Sequence, residues 1–207
     1  MIKNIVFDLG GVVVAVSAQQ AIKRFEEIGL DNAAEKLDTY HQTGIFGDLE
    51  MGNIDAETFR KELSKMTGRE LTHEECRYAW CGFCLEVPQR NLDALDKLRK
   101  EGYRVILLSN TNPFIMEWAS SADFSPSGRN VYSYFDACYL SYECKMMKPD
   151  EMIFRHLLTS EKIFPEETLF LDDGPRNVAA ASELGIRTFC PVNNEDWTQK
   201  IYDFINK

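Results

Sequence analysis

Histidine is scarce in this chain of 207 residues: His41, His73 and His156 are the three, and they stand far apart. The one close cysteine pair, Cys81 and Cys84, therefore has neither a second pair nor a neighbouring imidazole to complete a zinc site. The six cysteines (Cys76, Cys81, Cys84, Cys138, Cys144 and Cys190) read as reduced, partly buried thiols rather than as a disulfide framework. Proline is sparse, no internal repeat or low-complexity segment occurs, and no apolar run approaches the ~20 residues that cross a bilayer. The opening residues, Met1 to Asp8, lead straight into a strand pattern without the basic, apolar and small-residue zones of a secretion signal, so a cytoplasmic location is expected. Basic residues are outnumbered 23 to 33, for a net charge of −10. Such a surface repels phosphate backbones and anionic lipid, so neither nucleic acid nor membrane is expected as a partner. A small phosphorylated ligand stays open, because a local site can be positive on an acidic protein. What remains is an ordinary globular composition, 44% hydrophobic and 27% charged, with enough chain for a core domain and a smaller insertion.

The first segment, Ile2 to Phe7, is short, apolar and β-branched, and stops at Asp8. Lack of polar alternation marks a strand covered on both faces. After Gly10-Gly11 and the apolar stretch Val12 to Val16, the period becomes helical: Ala21, Phe25 and Ile28, then Phe59, Leu63 and Met66 behind the N-cap Asp55. From about Ala18 to Leu85 nothing reads as a strand, which is too much helix for one crossover and predicts an all-helical insertion over 17–87. Helix and strand then alternate. Leu92, Leu95 and Leu98 precede Gly102; Tyr103 to Leu108 is a strand; a helix starts near Pro113; Ala137 to Leu140 is a strand; and Pro149 opens a helix in its first turn. Thr168 to Leu171 and Ile186 to Cys190 are strands around a helix that ends at Gly185, and Trp197, Ile201, Phe204 and Ile205 mark one face of a last helix. This order predicts an α/β fold: a doubly wound, Rossmann-like parallel sheet formed by 1–16 plus 88–207.

Ligands of such sheets bind beyond the carboxyl ends of the strands. That rule selects Asp8, Ser109 and the pair Asp172-Asp173, with Lys148 at a helix start as a nearby cation. Any one such Asp could be a turn or capping residue. Three carboxylates buried together would repel one another without a cation, and an all-oxygen ligand set suits Mg²⁺. An anionic phosphate would then find the metal, Lys148 and the backbone N–H groups of the Gly10-Gly11 turn.

Asp8-Leu9-Gly10-Gly11, Ser109-Asn110, Lys148-Pro149-Asp150 and Asp172-Asp173-Gly174-Pro175-Arg176-Asn177, in that order, resemble the four motifs of the haloacid dehalogenase-like hydrolases. The helical block lies where members with a cap after the first strand carry it. Gly52 to Phe59 and Leu108 to Asn112 look like the glucose-1-phosphatase-like and epoxide-hydrolase N-terminal phosphatase branch. The resemblance implies a magnesium-dependent phosphate-monoester hydrolase in which Asp8 attacks phosphorus and forms an aspartyl-phosphate. It implies that Ser109 and the backbone of Leu9, Gly10 and Asn110 hold phosphoryl oxygens, and that Lys148 neutralises charge. It also implies that Asp8, the Gly10 carbonyl and Asp173 ligate the metal, with Asp172 acting through water or by orienting Lys148. The expected partner is a small phosphorylated metabolite, and the expected state a monomer or weak homodimer.

One position departs from the family pattern. Most of its phosphatases carry a second Asp two residues after the nucleophile, as acid and base; here Gly10 stands there. General acid–base help is worth ~10²–10⁴-fold, so a leaving group that needs little protonation, such as the relatively acidic anomeric hydroxyl of a sugar 1-phosphate, is the finer expectation. The missing Asp disfavours phosphomutase chemistry. It leaves open a metal-independent 2-haloacid dehalogenase, against which the intact Asp172-Asp173 pair argues, and a catalytically idle binding module. Substrate choice is expected in the glycine-flanked loop from Gly44 to Gly52, with Phe46 and Asp48 as candidates, the alternative being an interhelical turn with Phe46 in the core of the insertion. Hinges are expected near Val16-Ser17 and at Glu86 to Pro88, and Asn177 is a candidate support for the metal pair.

Overall fold

Asn4–Phe7 (β1), four residues buried on both faces, is the middle strand of a five-stranded parallel sheet in the computed structural model, which describes residues 1–37 and 42–206. The elements that follow it, up to the return to the core, are β2 (Ala15–Val16), α1 (Ala18–Glu27), α2 (Ala33–Lys36), α3 (Gly44–Met51), α4 (Ala56–Thr67), α5 (His73–Trp80) and β3 (Cys84–Glu86). The core resumes with α6 (Gln89–Lys100), β4 (Arg104–Ser109), α7 (Pro113–Ala119), β5 (Ala137–Leu140), α8 (Ser141–Cys144) and α9 (Glu151–Glu161). It closes with β6 (Thr168–Leu171), α10 (Pro175–Glu183), β7 (Arg187–Phe189) and α11 (Ile201–Ile205). The sheet order is β5-β4-β1-β6-β7 with every pair parallel, the α/β architecture that the alternation predicts.

Strand side chains alternate between the two faces. Ile5, Phe7, Leu107 and Leu171 pack with Leu92, Leu95 and Trp197 on one side, while Val6, Ile106 and Phe170 pack with Ile153, Phe154 and Leu157 on the other. Phe7 is in register with Leu107 on β4 and Leu171 on β6. Asp8 and Asp172, which follow β1 and β6, and Ser109, the last residue of β4, therefore emerge at one edge. The strand order switches sides at β1, so that edge is also the topological switch point.

The helical insertion has its own aromatic core. Phe25, Phe46, Phe59, Leu63 and Trp80 are fully or nearly fully buried, and Phe114 of α7 joins them from the main domain. Ring pairs such as Phe25–Phe46 (5.5 Å) and Phe46–Phe59 (5.4 Å) meet edge to face. Asp55 caps α4 by accepting from Thr58 N, as expected, whereas Met66 of the same helix is 42% exposed and does not share its buried face.

Four expectations need correction. Cys84–Glu86 is a strand, antiparallel to Ala15–Val16, so the two connections into the insertion form a ribbon at the expected hinge positions; three residues are too few for a period to show. The segment from Gly44 is helix α3 rather than a loop, closed by Gly52 in the left-handed region (φ 71°). Pro149 lies before α9, whose N-cap is Asp150 accepting from Met152 N. Trp197 precedes α11 and is buried against β1, its ring 5.1 Å from that of Phe7. The six cysteines are free thiols, and among the described residues no helix is long and apolar enough to cross a membrane. His41, one of the three histidines weighed for a zinc site, lies outside the described residues.

Candidate active site

Asp8 follows β1 and is held in line with its neighbour by a hydrogen bond from its backbone N to Leu171 O (2.8 Å). The next residues curl back: Val13 N and Val14 N both donate to Leu9 O, and Gly11 N donates to Val14 O. Buried side chains anchor this loop from outside. Asn91 Nδ2 donates to Val12 O (3.0 Å) and Val13 O (3.1 Å), and Trp197 Nε1 donates to Val12 O (2.8 Å). Gly11 adopts φ +77°, and a Cβ there would lie 2.1 Å from Asp173 Oδ2. The second glycine of the turn is thus what allows Asp173 to come up beside Asp8.

Among the described residues on the cavity wall, Lys148 is the cation. Its side chain is wholly buried, with Nζ 2.9 Å from Asp8 Oδ1, 2.6 Å from Asp172 Oδ2, and donating to Leu108 O at 2.9 Å. Burial works to lower its pKa, but the charges of Asp172 and Asp8 outweigh it and hold the ammonium above the usual lysine range. Asn110 grips its backbone at two points: Oδ1 accepts from Lys148 N (2.9 Å) and Nδ2 donates to Lys148 O (2.8 Å).

The two adjacent aspartates differ in what surrounds them. Asp172 has no exposed surface and accepts from Gly174 N (2.7 Å), from Asn177 Nδ2 (3.0 and 3.1 Å) and from Lys148. Its lone pairs are taken up inside the protein, so it fixes Lys148 in place. The Asp173 side chain makes no hydrogen bond to another residue among those described. Asp8 Oδ1 accepts from Leu9 N (2.7 Å) and meets Lys148, which leaves Oδ2 without a donor among the described residues.

Asp8, Asp172 and Asp173 each offer an oxygen within 4.8 Å of the others. Burial is the main reason that Asp8 is pushed up to about 7; Lys148 pulls it down, while Asp172 and Asp173 push it up again. Asp173 is likewise raised to about 7, by burial and then by Asp172. Two open carboxylates repelling each other beside the Gly10 carbonyl make an oxygen-only set that fits a hard divalent cation such as Mg²⁺.

A single cavity unites these groups. From the sheet edge it is lined by Asp8, Leu9, Gly10, Ser109, Asn110, Lys148, Asp173 and Asn177, and from the insertion side by Val16, Gln42, Glu50, Phe83 and Cys84. Every core residue singled out from sequence lies on its wall except Asp172, which stands just behind Lys148. Asn177 is brought in as a support, through Asp172.

Phe46 and Asp48 are not on the wall. Phe46 is 2% exposed and fills the core of the insertion among Phe25, Phe59 and Trp80, because it belongs to the apolar stripe of a helix. Asp48 closes the C-terminus of α3: its carboxylate accepts from Asn53 Nδ2 (3.0 Å) and its carbonyl accepts from Asn53 N (2.8 Å). The residue that does reach the cavity from α3 is Glu50, which sequence reasoning passed over. Burial first, and the charge of Asp8 second, raise its carboxyl to about 8. A signal was present: Phe46, Leu49 and Glu50 stand at i, i+3 and i+4, so the buried stripe of α3 ends in a carboxylate.

Comparison with known proteins shows the family. The haloacid dehalogenase-like hydrolase family profile matches residues 2–185. The chain is 48% identical over 206 residues to a D-ribitol-5-phosphate phosphatase of Bacteroides thetaiotaomicron, with 100% of both chains covered. Among solved structures, a HAD-like family hydrolase of Porphyromonas gingivalis superposes with a TM-score of 0.95 at 44% identity, covering 100% of this chain and 99% of that one. A HAD family enzyme of Bacteroides thetaiotaomicron, solved with magnesium and inorganic phosphate, superposes with a TM-score of 0.88 at 38% identity over 97% of this chain and 99% of that one. The chain belongs to the haloacid dehalogenase-like hydrolases.

Proposed function

We propose that this protein is a magnesium-dependent phosphatase of a small phosphorylated polyol or sugar, working through an aspartyl-phosphate on Asp8. The observation that carries the reading is the position of Lys148. It touches the carboxylate that would attack phosphorus, while Asp172 holds it from behind, and Asp173 stays free beside Asp8. Asp8, Asp173 and the Gly10 carbonyl would hold Mg²⁺, which supplies positive charge to the phosphoryl oxygens. Lys148 reduces repulsion between the Asp8 carboxylate and the incoming dianion. Ser109, buried on the cavity wall, and the backbone of Leu9 and Asn110 would position the phosphoryl group for in-line attack. Residues 17–87 act as a cap over the core formed by 1–16 and 88–207, with the β2–β3 ribbon as its hinge.

The relative that hydrolyses D-ribitol 5-phosphate makes that pentitol phosphate the first substrate to test, with sugar 1-phosphates second. Displacement of halide from carbon needs no metal, so a carboxylate cluster that fits one argues for phosphorus. Phosphate release should be measured from D-ribitol 5-phosphate, a sugar 1-phosphate and p-nitrophenyl phosphate, with Mg²⁺ and with chelator. Mg²⁺-dependent turnover that vanishes in Asp8→Asn, with the fold intact, is the expected result. Turnover that survives Asp8→Asn, or halide release from 2-chloropropionate in chelator, would overturn it.

A further inference from the structure

A primary alkyl phosphate, the kind of ester proposed above, leaves as an alkoxide and needs a proton as its P–O bond breaks. Gly10 has none to give. The nucleophile, the metal ligands, Ser109 and Lys148 all approach the phosphoryl group from the sheet edge, and in-line displacement sends the leaving oxygen away from Asp8, toward the insertion. Among the described residues, the side chains that meet it there come from Val16, Gln42, Glu50, Phe83 and Cys84. Of these, two can carry an exchangeable acidic proton. Burial drives the Cys84 thiol far above its ordinary range, which makes it a poor donor. Glu50 remains.

The structure prepares Glu50 for such a task. It is 9% exposed, and among the described residues no group donates a hydrogen bond to its carboxylate. A buried carboxyl with no protein partner is costly unless it meets a ligand. Its backbone is pinned to the core. Ser141 Oγ lies 2.6 Å from Glu50 O and also accepts from Thr111 N (3.0 Å), so one hydroxyl ties the end of α3 to the segment after β4. Two residues on, Gly52 is packed so closely on Tyr142 that a Cβ would lie 2.1 Å from its carbonyl oxygen. The carboxyl is thus carried on a short, doubly anchored stretch rather than on a free loop.

We propose that Glu50 is the catalytic acid and base of this enzyme, in place of the side chain that Gly10 lacks; the proposal rests on phosphoester hydrolysis at Asp8. In the first step Asp8 forms a bond to phosphorus, the P–O bond to the leaving group breaks, and the Glu50 carboxyl proton passes to the departing oxygen, releasing a neutral alcohol. In the second step the Glu50 carboxylate takes a proton from water as the water oxygen attacks phosphorus. The P–O bond to Asp8 then breaks, inorganic phosphate forms, and both carboxyl groups return to their starting states.

The test compares the magnesium-loaded full-length enzyme with Glu50→Gln on three esters: D-ribitol 5-phosphate, n-butyl phosphate and p-nitrophenyl phosphate. The expected result is a fall in kcat of ~10²–10⁴-fold on both alkyl esters. The aryl ester, whose leaving group needs no proton, should instead give a burst of nitrophenolate equal to the enzyme concentration and then a slow phase with phosphorylated Asp8 accumulating. Gly10→Asp placed in the Glu50→Gln background should restore alkyl turnover, since its Cβ meets only Val16 Cγ1, at 3.2 Å. Glu50→Asp, a milder change, should retain part of the alkyl rate. Equal losses on all three esters without a burst would reduce Glu50 to a positioning residue and overturn the proposal. So would a loss confined to the KM of the pentitol ester, which would make Glu50 a reader of substrate hydroxyls. Failure of the wild type on every ester would instead sink the phosphatase reading itself.

Discussion

Removing the Lys148 ammonium should cost stability as well as activity, and the size of the loss follows from the burial of its partners. Its side chain and that of Asp172 have no exposed surface, and Asp8 retains 13%. Lys148→Met keeps most of the volume but leaves Asp8, Asp172 and Asp173 facing one another with no countercharge, and frees Leu108 O as well. Breaking a buried ion pair by deleting one partner costs about 3–5 kcal/mol, and here one cation serves two carboxylates, so the upper end applies. For a chain of this length each kcal/mol is worth roughly 2–4 °C, which predicts a fall in Tm of about 10–20 °C in metal-free protein. The sign with pH can be worked out. Asp8 and Asp173 are already raised to about 7 in the folded protein, and loss of Lys148 raises them further. Between the unfolded carboxylate pKa near 4 and those folded values, the native state binds more protons than the unfolded one, so stability falls as pH rises. The deficit of Lys148→Met against wild type should therefore be larger at pH 8 than at pH 5. Thermal melts in chelator at the two pH values measure it. The double variant with Asp172→Asn should lose less than the two singles combined, by about 1–3 kcal/mol. Strict additivity together with a deficit that ignores pH would refute the reasoning.

Two further outcomes separate packing from chemistry. Gly11→Ala puts a methyl group 2.1 Å from Asp173 Oδ2 at a backbone angle of +77°; Mg²⁺ affinity by titration calorimetry should fall at least tenfold, and an unchanged affinity would deny Asp173 its place as a ligand. Phe46→Ala empties the core of the insertion among Phe25, Phe59 and Trp80, and should cost about 3–5 kcal/mol while the order of preference among phosphate esters stays the same; a reordering with little loss of stability would return Phe46 to substrate selection.

The contrast between Phe46 and Glu50 shows which parts of this molecule could be read before folding and which could not. Buried parallel strands have no polar alternation, so β1, β4 and β6 and the polar residues that end or follow them are visible as breaks in apolar runs. The strand-end rule then assembled Asp8, Ser109, Asp172 and Asp173 without any knowledge of contacts. Lys148 needed the motif order, because nothing local shows that it crosses to Leu108 O and Asp172. The β2–β3 ribbon was invisible because its partners are three residues long or fewer and lie some seventy positions apart. The segment from Gly44 to Gly52 was misread for a different reason. Its glycines suggest a loop that approaches a ligand, but Gly47 and Gly52 are there because backbone crowds them: a Cβ at Gly47 would lie 2.5 Å from Gln42 O, and one at Gly52 would lie 2.1 Å from Tyr142 O. Helical period, applied through those glycines, sorts the same residues correctly, with Phe46 and Leu49 in the core and Glu50 on their stripe. An apolar residue on a buried stripe is explained by packing alone. A carboxylate on that stripe is not, since burial without a partner opposes folding. Here the stripe runs out over the cavity that holds Asp8, at the side where Gly10 offers no proton, and the reaction itself is what gives that carboxylate a reason to be there.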